Sequence, residues 1–160
     1  MAYIRIKKID NKNYAYLVET KNTLTGPRQK VKKYLGRVYE LEKNQPNIYS
    51  NINKTNKKSF LESLILIELS QFNFKQNKKN HTNKHISFCP NNFTITKIKN
   101  NKESIIKLNE GHLASFTLQR LLNFKKTENL NQDAKSLARY FLEAGINISK
   151  EDFINFYQLL

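Results

Sequence analysis

The sequence predicts an α+β fold: an N-terminal three-stranded antiparallel β-sheet, followed by a subdomain in which a β-hairpin packs with about four helices. Three observations carry that prediction. Residues 3–35 alternate apolar and charged side chains with a period of two, interrupted twice by turn-forming residues. Residues 43–58 (KNQPNIYSNINKTNKK) are polar, Asn-rich and without period, the composition of a linker. From Asn109 onward apolar residues recur at three- and four-residue spacings, as in helices with one buried stripe. The expected division is 1–42, a basic β-module; 43–58, a polar linker; and 59–160, an α+β helical subdomain.

Taken in order, the first strand sets Ile4 and Ile6 against Arg5 and Lys7. Asp10 to Asn13 is a turn composition, because Asn and Asp tolerate left-handed backbone. Tyr14 to Glu19 forms the second strand, and Thr25-Gly26-Pro27 punctuates before the third. Over Arg28 to Leu35 simple alternation places Val31, Lys33 and Leu35 on one side and Arg28, Lys30, Lys32 and Tyr34 on the other. Tyr39 to Glu42 is expected as a helical turn. Ser59 is a candidate cap for a helix over 60–72, whose stripe is Phe60, Leu61, Leu64, Ile65, Leu69 and Phe72.

Lys75 to His85 is expected as a second basic loop, too polar to fold alone. The run FTITKIKNNKESIIKL predicts a hairpin turning at Asn100-Asn101. A helix over 111–125 follows, with Asn109 as its cap. The next opens at Asn131 or Asp133, turns Leu137, Ala138, Phe141 and Leu142 inward and stops at Gly145. Ser149 with Asp152 approximates a capping box for a terminal helix carrying Phe153, Ile154, Phe156, Tyr157 and Leu160.

Composition narrows the class. The 160 residues carry a net charge of +15, more than solubility needs, which favours a polyanionic partner. The charge is uneven: residues 1–58 hold 14 Lys and Arg against 4 Asp and Glu, and residues 61–160 hold 14 against 9. A biased base composition explains an Asn and Lys excess, but not its concentration at one end. Cys89 is the single cysteine, so no intrachain disulfide is expected. The start MAYIRIKK has no apolar signal core, and no apolar run approaches the ~20 residues of a membrane span. These features predict a cytoplasmic protein with no membrane partner.

The functional expectation is a non-enzymatic nucleic-acid-binding protein. A basic sheet face would present Arg5, Lys7, Lys8, Arg28, Lys30, Lys32, Lys33 and Arg37 to backbone phosphates, with Tyr16 or Tyr34 stacking on bases. The pleat would gather those cations on one surface, an arrangement that costs stability until a polyanion covers it. The bland alternative is an edge sheet whose lysines only prevent aggregation.

Other constellations are weaker. His81, His85 and Cys89 recur every four residues, but the segment ends in Pro90 and reads as extended, which separates metal-capable groups. No Gly-rich phosphate loop exists, the four glycines being isolated, so no cofactor is expected. His112 and Ser115 sit three apart on a predicted helix without a third group to orient the imidazole. A helix-turn-helix through Gly145–Ile148 would open its second helix with Glu151 and Asp152, where DNA phosphates approach.

Tyr3-Ile4-Arg5, Tyr16-Leu17-Val18-Glu19, Gly26 with Arg28-Gln29-Lys30-Val31, and Tyr34-Leu35-Gly36-Arg37 together resemble the short N-terminal β-module of IS4-type transposases. Similar leaders occur on small archaeal proteins. The resemblance covers about the first quarter of the chain. It implies a binding module and no transposition, because the nuclease domain that follows in those enzymes has no counterpart in this chain. The leader favours DNA, whereas the polar basic loops at 43–58 and 75–85 suit structured RNA such as the ribosome. A protein–protein interaction module built on 60–72 and 111–160 is the rival from another class, and a degenerate nuclease is the third.

Overall fold

The computed structural model describes residues 2–44 and 51–160. Strands β1 (Ala2–Ile9), β2 (Lys12–Thr23) and β3 (Gly26–Glu40) come first, then helix α1 (Lys57–Ser70). Strands β4 (Lys75–Asn77), β5 (Asn80–Thr82), β6 (Ile86–Cys89), β7 (Thr94–Lys97), β8 (Ser104–Leu108) and β9 (Gly111–Leu113) follow. Helices α2 (Ser115–Leu122), α3 (Leu130–Ala144) and α4 (Lys150–Gln158) complete the described chain. The α+β class is as the spacings predict.

β1 and β2 turn through Asp10 and Asn11, left-handed at φ 47° and 58°, as a two-residue hairpin of this hand requires. β2 and β3 run longer than alternation alone predicts. Beyond the pairing of Ala2 with Glu19, β1 stops and the β2–β3 ribbon continues unsupported to Thr23 and Gly26. Leu24 at its tip is fully exposed.

The leader is not a separate module. The larger sheet runs β1-β2-β3-β8-β9, with β8 parallel to β3 from Arg37–Ser104 to Glu40–Lys107. Tyr39 and Glu40 are therefore strand residues paired with Ile106 and Lys107, not a helical turn. Ala15, Leu35, Val38, Ile105 and Ala114 form one buried cluster with Ile4, Ile6 and Leu17 packed on it. The sheet curls around that cluster until Tyr3 and Ile4 of β1 share a depression with Gly111 and His112 of β9. The boundary expected at 43–58 thus gives way to a shared sheet and core; residues 45–50 of that expected linker lie outside the described residues. Asn44 N–H donates to the Gln71 carbonyl at 2.9 Å, tying the end of β3 to the end of α1.

The predicted mid-chain hairpin turns at Asn100-Asn101 as expected, but its arms part. β7 joins the second sheet, β4-β5-β6-β7, while β8 joins β3, and a single bridge, Thr96 to Glu103, links them. The expected loop 75–85 is itself a hairpin, β4–β5, with Lys78 left-handed at φ 55°. Residues 111–113 form a strand, so the following helix starts only at Ser115, and Asn109 turns the β8–β9 hairpin at φ 45° instead of capping a helix.

The larger core includes Phe60, Ile65, Phe88, Ile106, Phe141 and Phe156. Phe141 and Phe156 meet edge to face at 5.1 Å between centroids, a favoured aromatic arrangement. Helix ends follow local chemistry. Asn56, not Ser59, caps α1, its side chain accepting from Ser59 N–H at 2.9 Å, and Asn129 caps α3. Gly145 ends α3 at φ 74°, and Ser149 accepts from Asp152 N–H at 3.0 Å, both as predicted. Leu137 and Phe141 turn inward, whereas Ala138 and Leu142 do not; Leu142 is 60% exposed. Buried Asp133 accepts from the Thr127 backbone N–H at 2.7 Å and its hydroxyl at 2.9 Å. Those bonds, the backbone one first, hold its carboxyl below the usual carboxylate range.

Candidate nucleic-acid interface

Two β-bulges decide where the leader's cations point. Across β2 and β3, Leu17 pairs with Lys33 and Val18 with Val31, so Lys32 is supernumerary. Ala15 pairs with Gly36 and Tyr16 with Tyr34, so Leu35 is supernumerary as well. Each extra residue resets the two-residue alternation. The simple pattern over 28–35 is therefore wrong: Val31 lies with Tyr34, and Lys33 and Leu35 lie on the other side.

Directly opposed residues of an antiparallel pair share a face. On the inner side, that of the buried cluster, the register places Ile4, Ile6, Ala15, Leu17, Glu19, Lys30 and Lys33. On the outer side it places Tyr3, Arg5 and Lys7; Lys12, Tyr14, Tyr16 and Val18; and Val31, Tyr34, Arg37 and Tyr39.

The ten residues expected to form one surface accordingly divide. Arg5, Lys7, Tyr16, Tyr34 and Arg37 share the outer face. Lys8 pairs with Asn13 and Arg28 with Lys21, both on the inner parity, as is Lys30 opposite Glu19. Lys32 and Lys33 are occupied: Lys32 Nζ lies 3.0 Å from Glu19 and Lys33 Nζ 2.9 Å from Glu103. The hydrogen bond and charge of Lys32 lower the Glu19 pKa. The picture of eight cations gathered by the pleat is corrected to three, because Lys8, Arg28 and Lys30 lie on the inner parity and the bulges re-aim Lys32 and Lys33 towards the protein's own carboxylates.

What remains on the outer face is coherent. Tyr16 and Tyr34 lie 5.3 Å apart between centroids, and Tyr14 and Tyr34 6.4 Å, a contiguous tyrosine cluster. Lys7 Nζ sits 5.4 Å from the Tyr16 centroid, and the Arg37 guanidinium 4.9 Å from that of Tyr39. Arg5 Nη1 donates to Gln29 at 2.7 Å, which fixes its direction across the face. Tyr34 is half exposed, at 51%. Burial first, then Tyr14, Tyr16 and Tyr39, hold its hydroxyl above the ordinary tyrosine pKa, so the ring stays neutral under physiological conditions. The carboxylates on these strands, Glu19 and Glu40, belong to the inner parity.

Sequence reasoning missed Lys12 on this face, although alternation along β2 from Tyr14 and Tyr16 marks it. It also missed a cleft beside Arg37 and Tyr39 whose opposite wall is Lys84, His85, Lys97 and Lys99. The signal was present as two basic runs, 75–85 and 97–102, but nothing local shows that they meet β3.

The other candidate groups are dispersed. His81 is on β5 opposite Phe88, and Cys89 ends β6. His112 is on β9, not on a helix with Ser115; burial first, then the charge of Lys107, lowers its pKa. Among the described residues no group of three or more His, Cys, Asp or Glu converges on a point, and no helix is long and apolar enough to cross a membrane. Comparison with family models, curated proteins and solved structures finds no match for the chain.

Proposed function

We propose that this is a non-enzymatic, cytoplasmic nucleic-acid-binding protein whose ligand lies across the outer face of β1–β3. The observation that carries the reading is the tyrosine cluster Tyr14–Tyr16–Tyr34, bordered by Arg5, Lys7, Lys12 and Arg37. None of these four cations has a carboxylate within ion-pair distance among the described residues. Neutral aromatic rings offer stacking surfaces to any base, and flanking cations neutralise the phosphates between them. Phosphate contacts position the chain without reading its sequence, so binding is broad in sequence. Base stacking is compatible with DNA and RNA alike. The resemblance of the leader to transposase modules favours the former.

Salt tests it. With about four phosphates neutralised, log affinity for a single strand falls against log salt with a slope of about −3. Equilibrium titration across a salt series measures that slope, and a slope near zero removes the proposal.

A second reading retains one specific observation. Between α3 and α4 an apolar groove is lined by Ala138, Leu142, Ile148 and Phe153, which suits a protein partner. Charge substitution on the outer face separates the two, because binding in that groove survives it.

A further inference from the structure

Arg37 stands apart from the other outer-face cations. It is pinned on both sides, in register with Tyr14 of β2 and with Ser104 of β8. Among the described residues its Nε is buried without a hydrogen-bond partner, a deficit that folded chains rarely leave. Arg37 and Tyr39 form one wall of the cleft; Lys84, His85, Lys97 and Lys99 form the other, with no carboxylate among the lining residues. That second wall is itself fixed, because Ile98 N–H donates to the His85 carbonyl at 3.0 Å and Ile86 pairs with Lys97. Four permanent cations from three separate segments therefore converge on one recess. The register of two sheets holds them there, at some cost in mutual repulsion.

The recess is continuous with the tyrosine cluster. Moving away from it along the outer face, the next position is Arg37 beside Tyr14, and then Tyr34 beside Tyr16. Successive outer positions on a strand are about 6.6 Å apart, a step of the size an extended nucleotide chain takes. We infer that the cleft binds the terminal phosphate of a single-stranded nucleic acid, whose first bases then stack on Tyr14, Tyr34 and Tyr16. A terminal phosphomonoester suits the recess better than an internal diester. It carries close to two negative charges and three free acceptor oxygens, against the four cations of the lining. A duplex keeps its bases paired and denies them to the rings, so the preferred ligand is unpaired at that end.

This inference rests on the nucleic-acid reading, and one experiment separates their failures. Short single strands of one sequence, labelled at the far end and bearing either a phosphate or a hydroxyl at the near end, are titrated by fluorescence anisotropy. Both polarities are tested, with the matching blunt duplex as a further arm. The phosphorylated single strand of one polarity binds roughly tenfold tighter than its hydroxyl counterpart, the size of a few charge-assisted contacts. Lys97→Gln with Lys99→Gln, two substitutions in the cleft wall away from the tyrosine face and the β3 pairing, removes that preference while retaining binding of the hydroxyl strand. Lys84→Gln, on the same wall, lowers the preference as well. Equal affinity for both ends, or a preference that survives both variants, overturns the cleft assignment and leaves the outer-face reading standing. Binding of no strand at all overturns both.

Discussion

Replacing Arg5, Lys7 and Arg37 with Gln together lowers affinity for a single-stranded oligonucleotide by roughly a hundredfold, whereas replacing Lys30, Lys32 and Lys33 lowers it by about threefold or less. Each set removes three positive charges, so long-range attraction changes equally. The difference lies in direction and occupancy. Arg5, Lys7 and Arg37 border the tyrosines without ion-pair partners among the described residues, and three lost contacts of about 1 kcal/mol each account for the hundredfold. Lys32 and Lys33 already neutralise Glu19 and Glu103, and Lys30 faces away. Anisotropy titrations at matched salt, with thermal melts to show that both variants fold, measure the contrast. Equal losses would reduce the interaction to net charge and take away any role for the face.

Gly36→Ala unfolds the protein or comes close to it. Gly36 sits in the second bulge at φ 123°, where a side chain is strained whatever its surroundings. A Cβ there would lie 2.2 Å from the Glu103 carbonyl oxygen and 2.9 Å from its carbon, both backbone atoms at the entrance to β8. Strain of about 1–3 kcal/mol and the overlap of a rigid contact together cost roughly 3–5 kcal/mol. That is a large share of the 5–15 kcal/mol typical of a folded domain. For a chain of this size the melting temperature falls by about 10 °C or more. Gly26→Ala is the control: its φ is 109°, but none of the described residues lies within 4 Å of the added carbon, so only the backbone strain applies. Similar melts for the two would contradict the close approach of β3 to β8. So would a wild-type melt in two steps, since a leader unfolding alone requires that the sheet not be shared.

The local chemistry of the chain was legible and its long-range pairing was not. A turn within Asp10–Asn13, Gly145 as a left-handed stop and Ser149 with Asp152 as a cap are decided within a few residues; the structure has all three, the turn narrowed to Asp10-Asn11 because Lys12 and Asn13 already belong to β2. The bulges at Lys32 and Leu35 were hidden because both runs keep a plausible alternation on paper. Only the partner strand reveals that one of its residues faces two. The parallel pairing of β3 with β8 joins residues more than sixty apart in sequence, and nothing in Arg37–Glu40 announces it. The β4–β5 hairpin defied its polarity, since Lys75–Thr82 earns strand geometry from pairing onto β6 and not from apolar content. For the site, the residue types were evident and their sidedness was not. Arg5, Lys7, Tyr16, Tyr34 and Arg37 fell on one face, five others were turned away or neutralised, and the cleft lysines came from two separate segments, Lys84 from the loop at 75–85 and Lys97 and Lys99 from the mid-chain hairpin.

The chain has eight tyrosines and no tryptophan, and five of them, Tyr3, Tyr14, Tyr16, Tyr34 and Tyr39, lie on the outer parity of β1–β3, so its own emission reports largely on that face. Adding an unlabelled single-stranded oligonucleotide should quench tyrosine fluorescence in step with binding, and Tyr34→Leu should lower that quench while weakening affinity. Full binding with undisturbed emission, or a quench that Tyr34→Leu leaves intact, would place the ligand elsewhere on the molecule.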